Sequence, residues 1–116
     1  MQRDARAYLW DVQEAALAIQ HFVANLDAAG YAADPLVYSA VERKFEIIGE
    51  ALGQLAKADP ALASRVPHLP QIEAFRNQLI YGYAAVNHST VWNVIHGDMP
   101  SLREVVQQLL TEQGQL

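Results

Sequence analysis

Residues Arg76, Asn77, Tyr81 and Tyr83 bring a guanidinium, a carboxamide and two phenols into a single octet, Arg76-Asn77-Gln78-Leu79-Ile80-Tyr81-Gly82-Tyr83. On a helix this is barely two turns. An arginine suits bidentate grip of a phosphate, whereas tyrosines donate hydrogen bonds, stack on bases or accept a transferred group. The octet holds the groups needed to contact a phosphodiester. Its competing reading is a helix end packed on the core.

Other chemistries lack their residues. The four histidines, at positions 21, 68, 88 and 96, form no pair at helical metal-binding spacing, and no Glu-x-x-His occurs. The row Glu42, Glu46, Glu50 therefore reads as a solvated face rather than as metal ligands of a bundle. Neither a metal nor a cofactor is expected: no glycine-rich dinucleotide motif or phosphate-loop lysine is present. Ser39, Ser64, Ser89 and Ser101 lack the glycine context of a nucleophile elbow and sit where turns or caps use them. His88 lies between Asn87 and Ser89-Thr90 and reads as part of a surface cap, and Trp92 as core or dimer seam.

The chain has 116 residues and 52% hydrophobic content, enough for one domain with a buried core over 1–116. It has no cysteine, which excludes disulfides and thiolate metal sites and fits a reducing cytoplasm. The charged start, Met1-Gln2-Arg3-Asp4-Ala5-Arg6, lacks the pattern of a signal peptide. Apolar runs break well before the roughly 20 residues that span a bilayer. A cytoplasmic, soluble protein is expected. A net charge of -5 argues against coating nucleic acid by bulk electrostatics. It leaves room for a local cationic site, which dimerisation would double.

The elements that must position the octet are all helical. Ala5, Leu9, Val12, Ala16, Ile19, Val23 and Leu26 alternate steps of four and three, predicting a helix over about 4–29, capped by Asp4 and stopped at Gly30. Asp34-Pro35 opens a second helix to about residue 58, with Val41, Phe45, Ile48, Leu52 and Leu55 facing inward. Gly49 and Gly53 inside it each cost about 1 kcal/mol relative to alanine. Close approach of another helix backbone is the expected compensation. Prolines 60, 67 and 70 confine the next segment to a loop with one short helical turn. Pro70 then opens a third long helix with Ile72, Phe75, Leu79 and Ile80, ending near Gly82. A helix after the Asn87 cap and a last one carrying Leu102, Val105, Val106, Leu109 and Leu110 complete an all-α, antiparallel bundle of four to five helices.

Three motifs in order carry a family resemblance across almost the whole chain. They are Tyr8-Leu9-x-Asp11; Ala40-Val41-Glu42-Arg43-x-x-Glu46-Ile47-Ile48-Gly49-Glu50-Ala51; and Glu73-x-x-Arg76-Asn77-x-Leu79-Ile80-Tyr81-Gly82-Tyr83, followed by Val91-Trp92, Asp98-Met99-Pro100 and Leu102. The chain resembles the HEPN superfamily, and within it the HepT-like toxins. That resemblance implies a HEPN bundle forming a homodimer, and a partner antitoxin of minimal nucleotidyltransferase type. It also implies metal-independent RNA endonuclease activity from an arginine and a histidine four to six residues apart.

Arg76-Asn77 match the first part of that motif, but Tyr81 stands where the resemblance calls for histidine. Imidazole titrates near pH 6.5 and a phenol near 10, so a tyrosine donates a hydrogen bond near neutrality and is a poor base. Impaired cleavage with retained RNA contact is the expectation. Ideal helix geometry points Arg76 and Tyr81 about 140° apart, so a joint site needs a helix end or a second subunit. Asn77 stands one turn before Tyr81 and is expected to orient it. The resemblance also makes Tyr83 the acceptor of adenylyl groups, which would set phosphate charge beside Arg76 and repel RNA. For Arg76 the bland alternative is an ion pair to Glu73, Glu46 or Glu50. The competing function is a non-catalytic helical dimer that binds the nucleotidyltransferase or a nucleotide.

Overall fold

The computed structural model describes residues 4–82 and 86–114. Among them are seven helices and no strand: α1 (Ala5–Val23), α2 (Ala28–Ala32), α3 (Pro35–Ala58), α4 (Pro60–Ala63), α5 (Leu69–Tyr81), α6 (His88–Gly97) and α7 (Met99–Glu112). The all-α expectation holds, with α2 and α4 as short additions to five longer helices.

Local chemistry sets the ends. Asp4, Asp27, Asp34 and Asp59 each accept a backbone N–H of the first turn that follows, and Asn87 accepts from both Ser89 and Thr90 at 2.9 and 3.2 Å. These side chains satisfy amides that a helix start leaves without an internal partner. Pro35, Pro60, Pro70 and Pro100 all stand in a first turn, where the missing N–H costs nothing. His68, ahead of α5, takes a left-handed φ of 62° and makes no capping bond from its side chain.

One expectation fails at the first connection. The seam predicted over 4–29 stops at Val23, and Gly30 lies inside α2 rather than beyond a helix end. Asp27 explains the break: its carboxylate accepts from the Gly30 amide at 2.7 Å and nucleates a new turn. Hydrophobic spacing continued through Leu26, but a strong cap overrode it.

The 24-residue α3 is the spine, about 36 Å long at 1.5 Å per residue, in a molecule of 40 × 28 × 23 Å. It packs against α1 along one side and α5 along another; α7 covers α1, and α6 joins α7 to α2. The seam residues Val41, Phe45, Ile48, Leu52 and Leu55 are buried, as are Leu9, Val12, Ala16, Ile19 and Val23 opposite them. Phe45 and Phe75 meet edge to face at 5.2 Å and pin α5 onto α3. Such a pair contributes about 1 kcal/mol beyond its buried area.

Candidate functional site

Arg76 follows Phe75, the anchor of α5, and is thereby held against α3. A methyl group built on Gly49 would lie 2.5 Å from Cβ, 2.9 Å from Cγ and 3.0 Å from Cδ of Arg76. At Gly53 the added carbon would meet Glu73 Oε1 at 2.9 Å. The two glycines thus have a packing role, as expected: at Gly49 the nearest atoms are Cβ, Cγ and Cδ of Arg76, so α5 comes close to α3, and at Gly53 the nearest is the Glu73 carboxylate. Side chains of α5 lie across them, and Gly49 is the seat of the Arg76 stem.

The guanidinium emerges from this seat into an ion pair. Arg76 Nη2 lies 2.8 Å from Glu50 Oε2, with the arginine side chain 30% exposed. Glu50 Oε1 in turn accepts from Gln54 Nε2 at 3.1 Å. Arg76 Nε is buried and has no hydrogen-bond partner among the described residues. Of the three carboxylates weighed as partners for Arg76, the structure selects Glu50.

Beside this pair a cleft of about 380 Å³ opens between α1, α3 and α5. Tyr8 and Asp11 line it from α1, Arg43, Glu46, Ile47, Glu50, Ala51 and Gln54 from α3, and Arg76 and Ile80 from α5. Two guanidinium and three carboxylate side chains therefore share one hollow. The row Glu42, Glu46, Glu50 is not a uniform solvated face: Glu46 and Glu50 border this cleft, whereas Glu42 turns toward other neighbours.

The sequence-derived residues distribute unevenly around the cleft. Arg76 lines it, and Asn77 lines a smaller groove of about 210 Å³ on the other side of Arg76, with Gly49, Gly53 and Glu73. Tyr81 borders neither and is 79% exposed at the end of α5. Among the described residues, no hydrogen bond joins Asn77 to Tyr81. Tyr83 lies outside the described residues. Arg43 and Tyr8 were not singled out as site residues from sequence, although both stand in the quoted motifs. Their membership of one cleft depends on how α1 and α3 cross, which spacing within one helix does not reveal.

A second polar region lies around α2 and α6. Tyr31 is completely buried and, among the described residues, its hydroxyl has no hydrogen-bond partner; His88 Nδ1 is likewise buried without one. The His88 ring stacks on Tyr38 at 4.0 Å, and Trp92 lies 5.6 Å from Tyr31 and 4.2 Å from His96. His88 is therefore half-buried packing rather than a surface cap, which Asn87 alone supplies. Burial pushes the Glu42 carboxyl above its ordinary value, with Glu46 adding to the effect and His88 opposing it. Burial, then the Glu42 charge, raises the Tyr31 phenol.

Among the described residues no cluster of three or more His, Asp or Glu side chains is arranged to hold a metal ion. No described helix is long and apolar enough to cross a membrane.

Comparison with known proteins points one way. The model of the family described as "Ribonuclease HepT-like" matches residues 12–109. A protein of Caldanaerobacter subterraneus subsp. tengcongensis named "Putative RNase" is 32% identical, over 93% of this chain and 96% of its own length. A Thermococcus cleftensis protein named "Probable ribonuclease HepT" is 29% identical over 94% of this chain and 98% of its own. A Methanocaldococcus jannaschii "Putative RNase" is 26% identical over 96% and 91% respectively. No solved structure matches the chain.

Proposed function

The chain belongs to the HepT-like ribonuclease family, and from that premise we propose that it is the toxin subunit of a HEPN/nucleotidyltransferase toxin-antitoxin pair, one that binds RNA through Arg76 and is impaired in cutting it. The observation that carries the reading is the seating of Arg76: a guanidinium fixed on Gly49 and presented to a cleft large enough for part of a polynucleotide. A pre-positioned cation of this kind stabilises charge that grows on phosphate oxygens during transfer.

Metal-independent cleavage requires more than that charge. The ribose 2′-oxygen attacks phosphorus as the bond to the 5′-oxygen breaks; one group must take the 2′-hydroxyl proton and another must supply a proton to the leaving oxygen. Arg76 does neither, because a guanidinium stays protonated. Tyr81 occupies the position of the family histidine, and its phenol supplies hydrogen bonds far better than it accepts protons. Tyr81 also lies outside the cleft that holds Arg76 within one chain. A homodimer in which the partner's surface faces that cleft supplies the missing side of the site. In the same reading Tyr83 is the adenylyl acceptor for the nucleotidyltransferase.

A second reading draws on the cleft's charges. Of the two ligands weighed for a non-catalytic helical dimer, the nucleotidyltransferase or a nucleotide, three carboxylates against two guanidiniums favour the nucleotidyltransferase, because they repel a lone anion.

The deciding experiment incubates the protein and Tyr81→His with single-stranded RNA and a chelator. Cleavage by the histidine variant alone is expected, with a gain on the order of 10²-fold, the usual worth of a positioned acid or base. Equal, robust cleavage by both overturns the claim that position 81 limits activity. No cleavage by either, with no RNA bound, favours the second reading. Mass measurement after incubation with ATP and the nucleotidyltransferase tests Tyr83, and an unmodified residue removes it from the scheme.

A further inference from the structure

Glu50 occupies Arg76 as an anionic ligand would. One carboxylate oxygen contacts Nη2 at 2.8 Å while the other is held by Gln54 at 3.1 Å, so the carboxylate is fixed at both ends. The guanidinium is constrained as well: its stem lies on Gly49, and Nε is buried. An arriving phosphate cannot use the Nε side of the fork and must take the Nη groups, where Glu50 already sits. Asp11 and Glu46 line the same cleft and add like charge against a lone anion.

Arg43 changes the balance for a longer ligand. It borders the same cleft and precedes Glu50 by seven residues on α3. That separation is about 10 Å of helix rise, which a stacked strand covers in about three nucleotides. A single phosphate has one contact with which to displace Glu50, whereas a strand has a second on Arg43. We infer that Glu50 is a specificity-determining residue, which by occupying Arg76 turns away single phosphates and mononucleotides and admits strands that engage Arg43 at the same time. The inference rests on Arg76 as a phosphate contact. A merely structural ion pair would move stability and leave ligand preference unchanged.

The test measures fluorescence anisotropy of a labelled single-stranded decaribonucleotide in chelator, with AMP as competitor. Glu50→Gln keeps an acceptor for Gln54 and loses the charge. It is expected to tighten AMP about tenfold and the decamer about twofold, so that preference for the strand falls about fivefold. Gln54→Ala frees the carboxylate without altering net charge and shifts preference the same way by a smaller factor. Arg43→Gln weakens the decamer and leaves AMP unchanged.

A bound decamer with an unchanged strand-to-AMP ratio in Glu50→Gln overturns the role of Glu50 and leaves the RNA reading intact. If the decamer binds no variant, the RNA reading fails, and inorganic phosphate titrated against the ¹⁵N-labelled Arg76 guanidinium decides Glu50 separately. A response at lower phosphate in Glu50→Gln supports the blocking carboxylate; an equal response removes it.

Discussion

Two polar regions of α3, around Glu42 and around Glu50, treat their polar atoms in opposite ways. At Glu50 the charges are paired at 2.8 Å, about half exposed on the carboxylate side, and open onto a cleft. Around Glu42 the neighbouring Tyr31 hydroxyl and His88 Nδ1 are buried and unpartnered among the described residues. A partly exposed ion pair contributes roughly 0 to 1 kcal/mol, little enough for a ligand with a second contact to displace it. A buried hydroxyl without a partner costs about 1 to 3 kcal/mol. The first region can trade its partners for a ligand; the second has no such exchange and bears only on stability. Histidines and tyrosines are the more conspicuous residues of the second region, yet the ligand chemistry proposed above falls to the first.

The largest way to break this contrast is at Gly49. A valine there would place its Cβ within 2.5 Å of Arg76 Cβ, an atom tied directly to the α5 backbone. The helix must shift, and a loss of about 2 to 3 kcal/mol in urea denaturation is expected, set against a few tenths regained in helix propensity. Gly97, the last residue of α6, is the control: among the described residues an added methyl meets nothing within 4 Å, and Gly97→Ala should gain up to about 0.5 kcal/mol. Equal stability of Gly49→Val and the wild type would show that the Arg76 seat is not the close contact described.

Arg76→Gln separates the regions by function. RNA affinity should fall more than tenfold, about 1.4 kcal/mol, while stability changes by less than about 1 kcal/mol because the lost ion pair is partly exposed. His88→Gln, in the other region, should leave RNA affinity unchanged in the same anisotropy measurement. A reversed pattern would move the ligand site to α6.

The sequence made the scaffold legible because caps and seams are local signals. Asp34-Pro35 opens α3 and its five-residue apolar seam is buried as its spacing requires. Arg76 and Asn77 were legible as chemistry through the resemblance of their motif. What was hidden depends on contacts between helices. Gly49 signalled a close helix approach but not that the Arg76 stem fills it, and the place of Arg43 depends on the cleft that α1 and α5 close around it. The break between α1 and α2 was hidden for another reason: the Asp27 cap and a continuing hydrophobic seam gave opposing signals, and the cap prevailed.

Tyr31→Phe sharpens the contrast from the other side. Removing a fully buried hydroxyl that has no partner among the described residues should stabilise the fold by about 1 kcal/mol and leave RNA affinity unchanged. Burial raises this phenol, so the folded state keeps a proton that the unfolded chain loses above the ordinary tyrosine value of about 10. Stability of the wild type therefore drops as pH rises past that value, and the phenylalanine variant should lose part of the drop. A destabilised variant would mean that the hydroxyl has a partner in solution, such as a trapped water.

Glu42 yields the smallest effect, and one whose sign distinguishes burial from pairing. His88 faces it from α6, Tyr31 from α2, and Glu46 lies one turn away on α3. Burial and the Glu46 charge raise the carboxyl, whereas His88 lowers it. With the net shift upward, the folded state holds the proton more tightly than the unfolded chain. Stability then declines as pH climbs from the ordinary glutamate value through the raised one, and is level above it. Glu42→Gln removes that slope, so its stability relative to wild type should be greater at pH 7 than at pH 3.5 in urea denaturation. The carboxylate is only partly buried, so solvent keeps the difference small. The opposite trend, a variant relatively weaker at pH 7, would make Glu42 a partner of His88. In that case the second region would have the paired character that distinguishes the first.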